Sequence, residues 1–156
     1  MIRRLVPVFA AALLALPANA QDSAEAGDDP AAAVDDVASG ALTLELNNAA
    51  TLDGGACQLT YVAANTTEED LAQASYQVAF FDGEGVVRRL LVLEFGALAP
   101  GRTRIVLFNL PEQPCEDLSR ILINEVAACD LADGGTSDVC LSRLETAARG
   151  DIQFGL

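Results

Sequence analysis

The chain of 156 residues has no histidine, no lysine and no tryptophan, and its only methionine is Met1. Without histidine there is no ordinary general base at neutral pH, which excludes Ser-His-Asp and Cys-His catalysis and histidine-ligated metal sites. Without lysine, the basic residues are nine arginines against 23 acids, a formal charge of -14. That balance excludes general binding to a nucleic-acid backbone, which depends on releasing counterions through lysine and arginine, and it disfavours anionic lipid surfaces. Aromatic residues make up 5% of the chain, too few for a stacking platform. Long apolar runs are missing as well: the longest, Leu5 to Leu16, falls well short of the roughly 20 residues that a bilayer crossing needs.

That short run has another reading. Met1-Ile2-Arg3-Arg4 is a basic start, Leu5 to Leu16 an apolar core, and Pro17-Ala18-Asn19-Ala20 a break ending in Ala-x-Ala, the layout of a secretory signal cleaved after Ala20. Residues 1–20 are therefore expected to be removed, with delivery to the periplasm or the exterior and no stable membrane insertion afterwards. Loss of Arg3 and Arg4 leaves seven arginines against 23 acids, a charge of -16. Residues 21–40 carry six acids and no leucine, isoleucine or aromatic residue, so they cannot offset the entropy of ordering and are expected to form a disordered acidic leader. A single domain over residues 41–156 is predicted to fold without it.

Cys57, Cys115, Cys129 and Cys140 all lie in that domain. An even number in an exported chain predicts two disulfides, whereas a zinc site would show close cysteine pairs that are absent here. Of the three possible connectivities, Cys129 to Cys140 is favoured because the intervening Asp130 to Val139 segment is rich in turn residues, and Cys57 to Cys115 follows by elimination.

From Ala41 onward the pattern is that of strands. Leu42, Leu44 and Leu46 alternate with polar residues, and Cys57 to Ala64 alternates again. Tyr76 to Phe81 and Val86 to Leu93 flank Asp82-Gly83-Glu84-Gly85 as a hairpin, Arg104 to Leu110 and Ile121 to Val126 are further strands, and Asp151 to Phe154 is a short last one. Asn65-Thr66-Thr67 also matches a glycosylation acceptor, and Glu68 to Asp70 reads as polar loop with room for a helical turn. Ser137 or Asp138 is placed to cap a helix running through Ala148, with Gly150 as its stop. Short strands with a turn about every ten residues predict an all-β, antiparallel sandwich with a short C-terminal helix and two disulfides, with a small barrel as the alternative.

Cys57-Gln58-Leu59-Thr60-Tyr61 followed by Asn65, Phe81-Asp82-Gly83-Glu84-Gly85-Val86, and Leu98-Ala99-Pro100-Gly101-Arg102-Thr103 together resemble the immunoglobulin-like sandwich domains of bacterial envelope proteins, including the FxLYD type. The chain is also similar to small exported proteins of alphaproteobacteria. The resemblance spans about seventy residues and implies a binding or scaffolding role without a shared catalytic site.

The sites that remain are few. Glu68-Glu69-Asp70, Asp82 with Glu84, and Glu116-Asp117 are the densest carboxylate sets, all in turns where solvated acids are the ordinary state, and no catalytic residue or cofactor is predicted. Asp130, Asp133 and Asp138 offer oxygen ligands for calcium, but in neither an EF-hand nor a nonapeptide-repeat order. More informative are the runs Val86 to Leu93 and Ile105 to Leu110, apolar on both alternating faces: one face must meet the core, and the other must be covered or exposed. The C-terminal segment is the expected cover. Arg88, Arg89, Arg102 and Arg104 fall in the same region, poised to pair with Glu94 or with an acidic group on a partner. The sequence thus points to a non-enzymatic interaction or scaffold module of the envelope with a protein partner, the alternative being a small-ligand or divalent-cation (calcium) binding protein.

Overall fold

A computed structural model describes residues 40–156; the expected signal and all of the leader except Gly40 lie outside the described residues. Eight strands run in chain order: β1 Leu42–Thr51, β2 Cys57–Asn65, β3 Leu71–Phe81, β4 Val87–Leu98, β5 Thr103–Leu110, β6 Arg120–Leu131, β7 Leu144–Ala148 and β8 Gln153–Gly155. They form two four-stranded sheets, ordered β5-β2-β1-β7 and β4-β3-β6-β8. The predicted sandwich with two disulfides is what is found.

Period-two alternation explains the core. Leu42, Leu44 and Leu46 of β1 and Leu59, Tyr61 and Ala63 of β2 turn inward from one sheet. Tyr76, Val78 and Phe80 of β3, Leu93 and Phe95 of β4, and Ile121 and Ile123 of β6 meet them from the other. The aromatic residues interlock edge to face: the Tyr61 ring lies 5.5 Å from Phe95, 5.8 Å from Phe108 and 5.1 Å from Phe154.

The cysteines pair as predicted. Cys57–Cys115 ties the start of β2 to a 3₁₀ turn at Cys115–Asp117, and Cys129–Cys140 ties the end of β6 to the only α-helix among the described residues, α1, Val139–Ser142. The Tyr76 hydroxyl donates to the Cys140 carbonyl at 2.8 Å, fixing that turn against the core.

The C-terminal third departs from expectation in two ways. The helix stops at Ser142, and Leu144–Ala148, predicted as its continuation, is strand. Five residues with one large apolar side chain have no helical face to bury, whereas the open edge of β1 offers each backbone group a partner from Leu42↔Leu144 to Leu46↔Ala148. The sheets are also mixed instead of wholly antiparallel, because β7 runs parallel to β1 and β8 parallel to β6. The bridge at Cys140 returns the chain to the level where β1 begins, so the next strand travels in the direction of β1.

Candidate interaction surface

The C-terminal segment does not cover the second face of the apolar strands. It goes to the far edges, β7 beside β1 and β8 beside β6, while β4 and β5 are the edge strands of their sheets at the other flank. Phe95 of β4 and Phe108 of β5 meet at 5.5 Å between them, and an Arg104 guanidinium nitrogen donates to the Ala97 carbonyl at 3.0 Å. Left facing outward are Leu90 (55% exposed) and Val92 (49%) on β4, and Ile105 (70%) and Leu107 (55%) on β5. The expected intramolecular cover is therefore corrected: once β1 and β6 capture that segment by hydrogen bonding, nothing of it reaches this flank. On the β4 sheet the apolar surface continues inward, since Ala79 of β3 is the register neighbour of both Leu90 and Leu122.

The four arginines border this flank in two groups. Arg88 and Arg89 open β4, and Arg102 and Arg104 follow its end, about 30 Å away at the rise of a strand. Arg88 does not pair with Glu94. Its Nε donates to the Asp82 carboxylate at 2.5 Å, and that carboxylate also accepts the backbone N–H groups of Val86 at 2.8 Å and Glu84 at 3.0 Å. These contacts, the Val86 N–H foremost, hold the Asp82 carboxyl below its usual range against the opposing effect of burial. Gly85, at φ 80°, supplies the left-handed residue that closes this turn. Gly96, at φ 71°, leaves room for Arg104, whose guanidinium lies 3.0 Å from where a Cβ would stand. Among the described residues no carboxylate lies within ion-pair distance of Arg89, Arg102 or Arg104.

Two of the predicted carboxylate sets come together. Asp82, Glu84, Glu116 and Asp117 line an open cleft of about 480 Å³ with Arg88 and Gln113. Both Asp82 carboxylate oxygens accept hydrogen bonds, and Glu116, bonded to the Thr51 hydroxyl at 2.7 Å, is likewise held below its usual value, first by its own backbone N–H and then by Thr51. Both carboxyls are thereby favoured in the ionised form. Asp130, Asp133 and Asp138 do not converge: among the described residues no three metal-ligating side chains are placed to share an ion. Asp138 occupies the α1 N-cap position without a side-chain bond, and it is Ser137 whose hydroxyl accepts the Val139 N–H, at 3.1 Å.

In the sequence Asn65 stands out only as a glycosylation acceptor and as one residue of the immunoglobulin-like resemblance. Its side chain is fully buried, its amide nitrogen donating to the carbonyls of Glu69 and Leu98 at 2.8 Å each and its oxygen accepting from the N–H of Thr67 at 2.9 Å and from the Thr67 hydroxyl at 2.6 Å.

No family model, no curated protein and no solved structure matches the chain. Two disulfides fit an oxidising compartment, and no described helix is long and apolar enough to cross a membrane.

Proposed function

We propose that this protein is a non-catalytic interaction module of the bacterial envelope, exported to the periplasm or beyond, that docks a partner protein on the β4–β5 flank. One observation carries the reading: the two-sheet sandwich leaves Leu90, Val92, Ile105 and Leu107 outward on two edge strands of the same flank. Exposed apolar residues collected on edge strands favour docking over solvation, and free edge groups offer main-chain hydrogen bonds to an added strand. The border arginines Arg89, Arg102 and Arg104, without an ion-pair partner among the described residues, suit a partner with acidic groups at matching positions.

The test is crosslinking and affinity recovery of the tagged, disulfide-intact protein from its own envelope at low salt. A saturable partner is expected, lost when Ile105 and Leu107 are changed to glutamate and weakened by charge reversal at Arg89 and Arg102, with the unfolding midpoint of the bait unchanged. Recovery indifferent to all four substitutions overturns the assignment to this flank. A calcium-dependent rise in melting temperature, abolished by substituting Asp130 and Asp133, replaces the reading with cation binding.

A further inference from the structure

The β4 half of this flank carries a pattern that specifies its own occupant. We infer that β4 pairs with β4 of a second copy of this chain, antiparallel, about a two-fold axis at Leu91, joining two four-stranded sheets into one of eight. The inference rests on reading the flank as an interface and names the partner of its β4 half.

Three observations carry it. First, β4 pairs with no strand but β3 among the described residues, and its central stretch, Arg89 to Glu94, pairs with Phe80 to Ser75 in unbroken register, Arg88 being the bulged residue just before it. A regular edge free of proline and lysine offers its outward N–H and C=O groups to an added strand. Second, Leu90 and Val92 project from the outer face of the sheet beside Ala79, so a strand laid along β4 extends an apolar surface already present.

Third, the order of residues is self-complementary. Arg88 lies three residues before Leu91 and Glu94 three after, with Leu90 and Val92 one residue to either side. In an antiparallel pair centred on Leu91, Leu90 faces Val92 of the second copy and Arg88 faces Glu94 of the second copy, each contact occurring twice by symmetry. Moving the axis one residue either way sets Arg88 or Glu94 opposite an apolar residue, so the charges select the register as well as the partner. Asp82 holds Arg88 through Nε and so pre-orients the guanidinium, leaving its terminal nitrogens for the incoming Glu94; the nearest other acid, Glu84, is 4.0 Å from Nη2. Two acidic copies repel at long range, but at about 0.15 M salt the screening length is about 8 Å, short enough to quench that repulsion while leaving contacts at the axis intact.

The test is analytical ultracentrifugation of the disulfide-intact protein at that salt concentration, run on wild type and on Glu94→Arg. Glu94 is exposed, so this substitution spares the core, and it sets two like-charged pairs across the axis. The expected result is a concentration-dependent dimer whose dissociation constant rises about tenfold or more in Glu94→Arg. Register is read separately: a mixture of Leu90→Cys and Val92→Cys chains should crosslink under mild oxidation, whereas each alone should not, with intact mass confirming that the native bridges are kept. A monomer at every concentration, an unchanged dissociation constant in Glu94→Arg, or equal crosslinking of Val92→Cys with itself overturns the inference. If self-association fails while a partner protein is still lost on substituting Ile105 and Leu107, this inference falls and the broader reading stands. Self-association without any such partner has the opposite meaning.

Discussion

Asn65 and Tyr61 are both fully buried polar residues, and they stand in opposite energetic positions. The Asn65 amide satisfies the carbonyls of Glu69 and Leu98 and the Thr67 N–H, joining the β2–β3 loop to the end of β4. The Tyr61 hydroxyl has no hydrogen-bond partner among the described residues, and burial pushes its pKa up. Asn65→Ala strands several backbone groups and is expected to cost about 3 kcal/mol in urea unfolding, at roughly 1–3 kcal/mol for each group left unsatisfied. Tyr61→Phe keeps the ring against Phe95, Phe108 and Phe154 while removing a desolvated hydroxyl, so it should leave stability unchanged or raise it by about 1 kcal/mol. Equal losses in the two variants would refute this account. Neither role was legible in the sequence, because each depends on what surrounds the side chain, and the Leu98 carbonyl bonded by Asn65 lies 33 residues away along the chain.

The β3–β4 hairpin is the element whose logic is most local, and its stability should report on a single carboxylate. The folded chain holds Asp82 below the ordinary value of 3.8 through the Val86 N–H first, then Arg88 and the Glu84 N–H, with burial opposing them. A carboxyl depressed by folding contributes its stabilisation fully at pH values above that ordinary value and loses it as pH falls through the lower folded one. Asp82→Asn is therefore expected to be less stable than wild type at pH 7 and to lose less on acidification, so that the two melting curves converge toward pH 3. Parallel curves would show that Asp82 does not titrate with folding. Because this turn is written in five consecutive residues, it could be read directly, as could the first half of β1, β2 and the pairing of the cysteines. β7 could not, since Leu144 to Ala148 becomes strand only through the hydrogen bonds that β1 offers from a hundred residues upstream. The exposure of Leu90, Val92, Ile105 and Leu107 was hidden for the same reason: periodicity marks two apolar faces but not where distant segments go.

At the scale of the whole molecule, the two bridges decide whether these elements stay together. Cys57–Cys115 spans 58 residues and links the two sheets' connecting chain to β2, while Cys129–Cys140 spans 11 and fixes the point from which β7 and β8 depart. By the entropy of closing such loops in the unfolded chain, the first is worth about 4 kcal/mol and the second about 3. Domains of this size are typically stable by only about 5–15 kcal/mol, so the two together amount to a large part of the whole. Replacing the first pair by alanine should therefore lower unfolding free energy more than replacing the second. The second replacement should carry a local consequence that the first does not: faster amide exchange in β7 and in the β1 edge it covers, because the turn held by Cys129 and by Tyr76 is what sets β7 in register. With both pairs replaced, cooperative unfolding at 37 °C is expected to disappear, making a folded β4–β5 flank conditional on an oxidising compartment. If the chain without cysteines instead melts cooperatively with only a small loss, the sheets are self-sufficient and the bridges do not restrict where the flank can form.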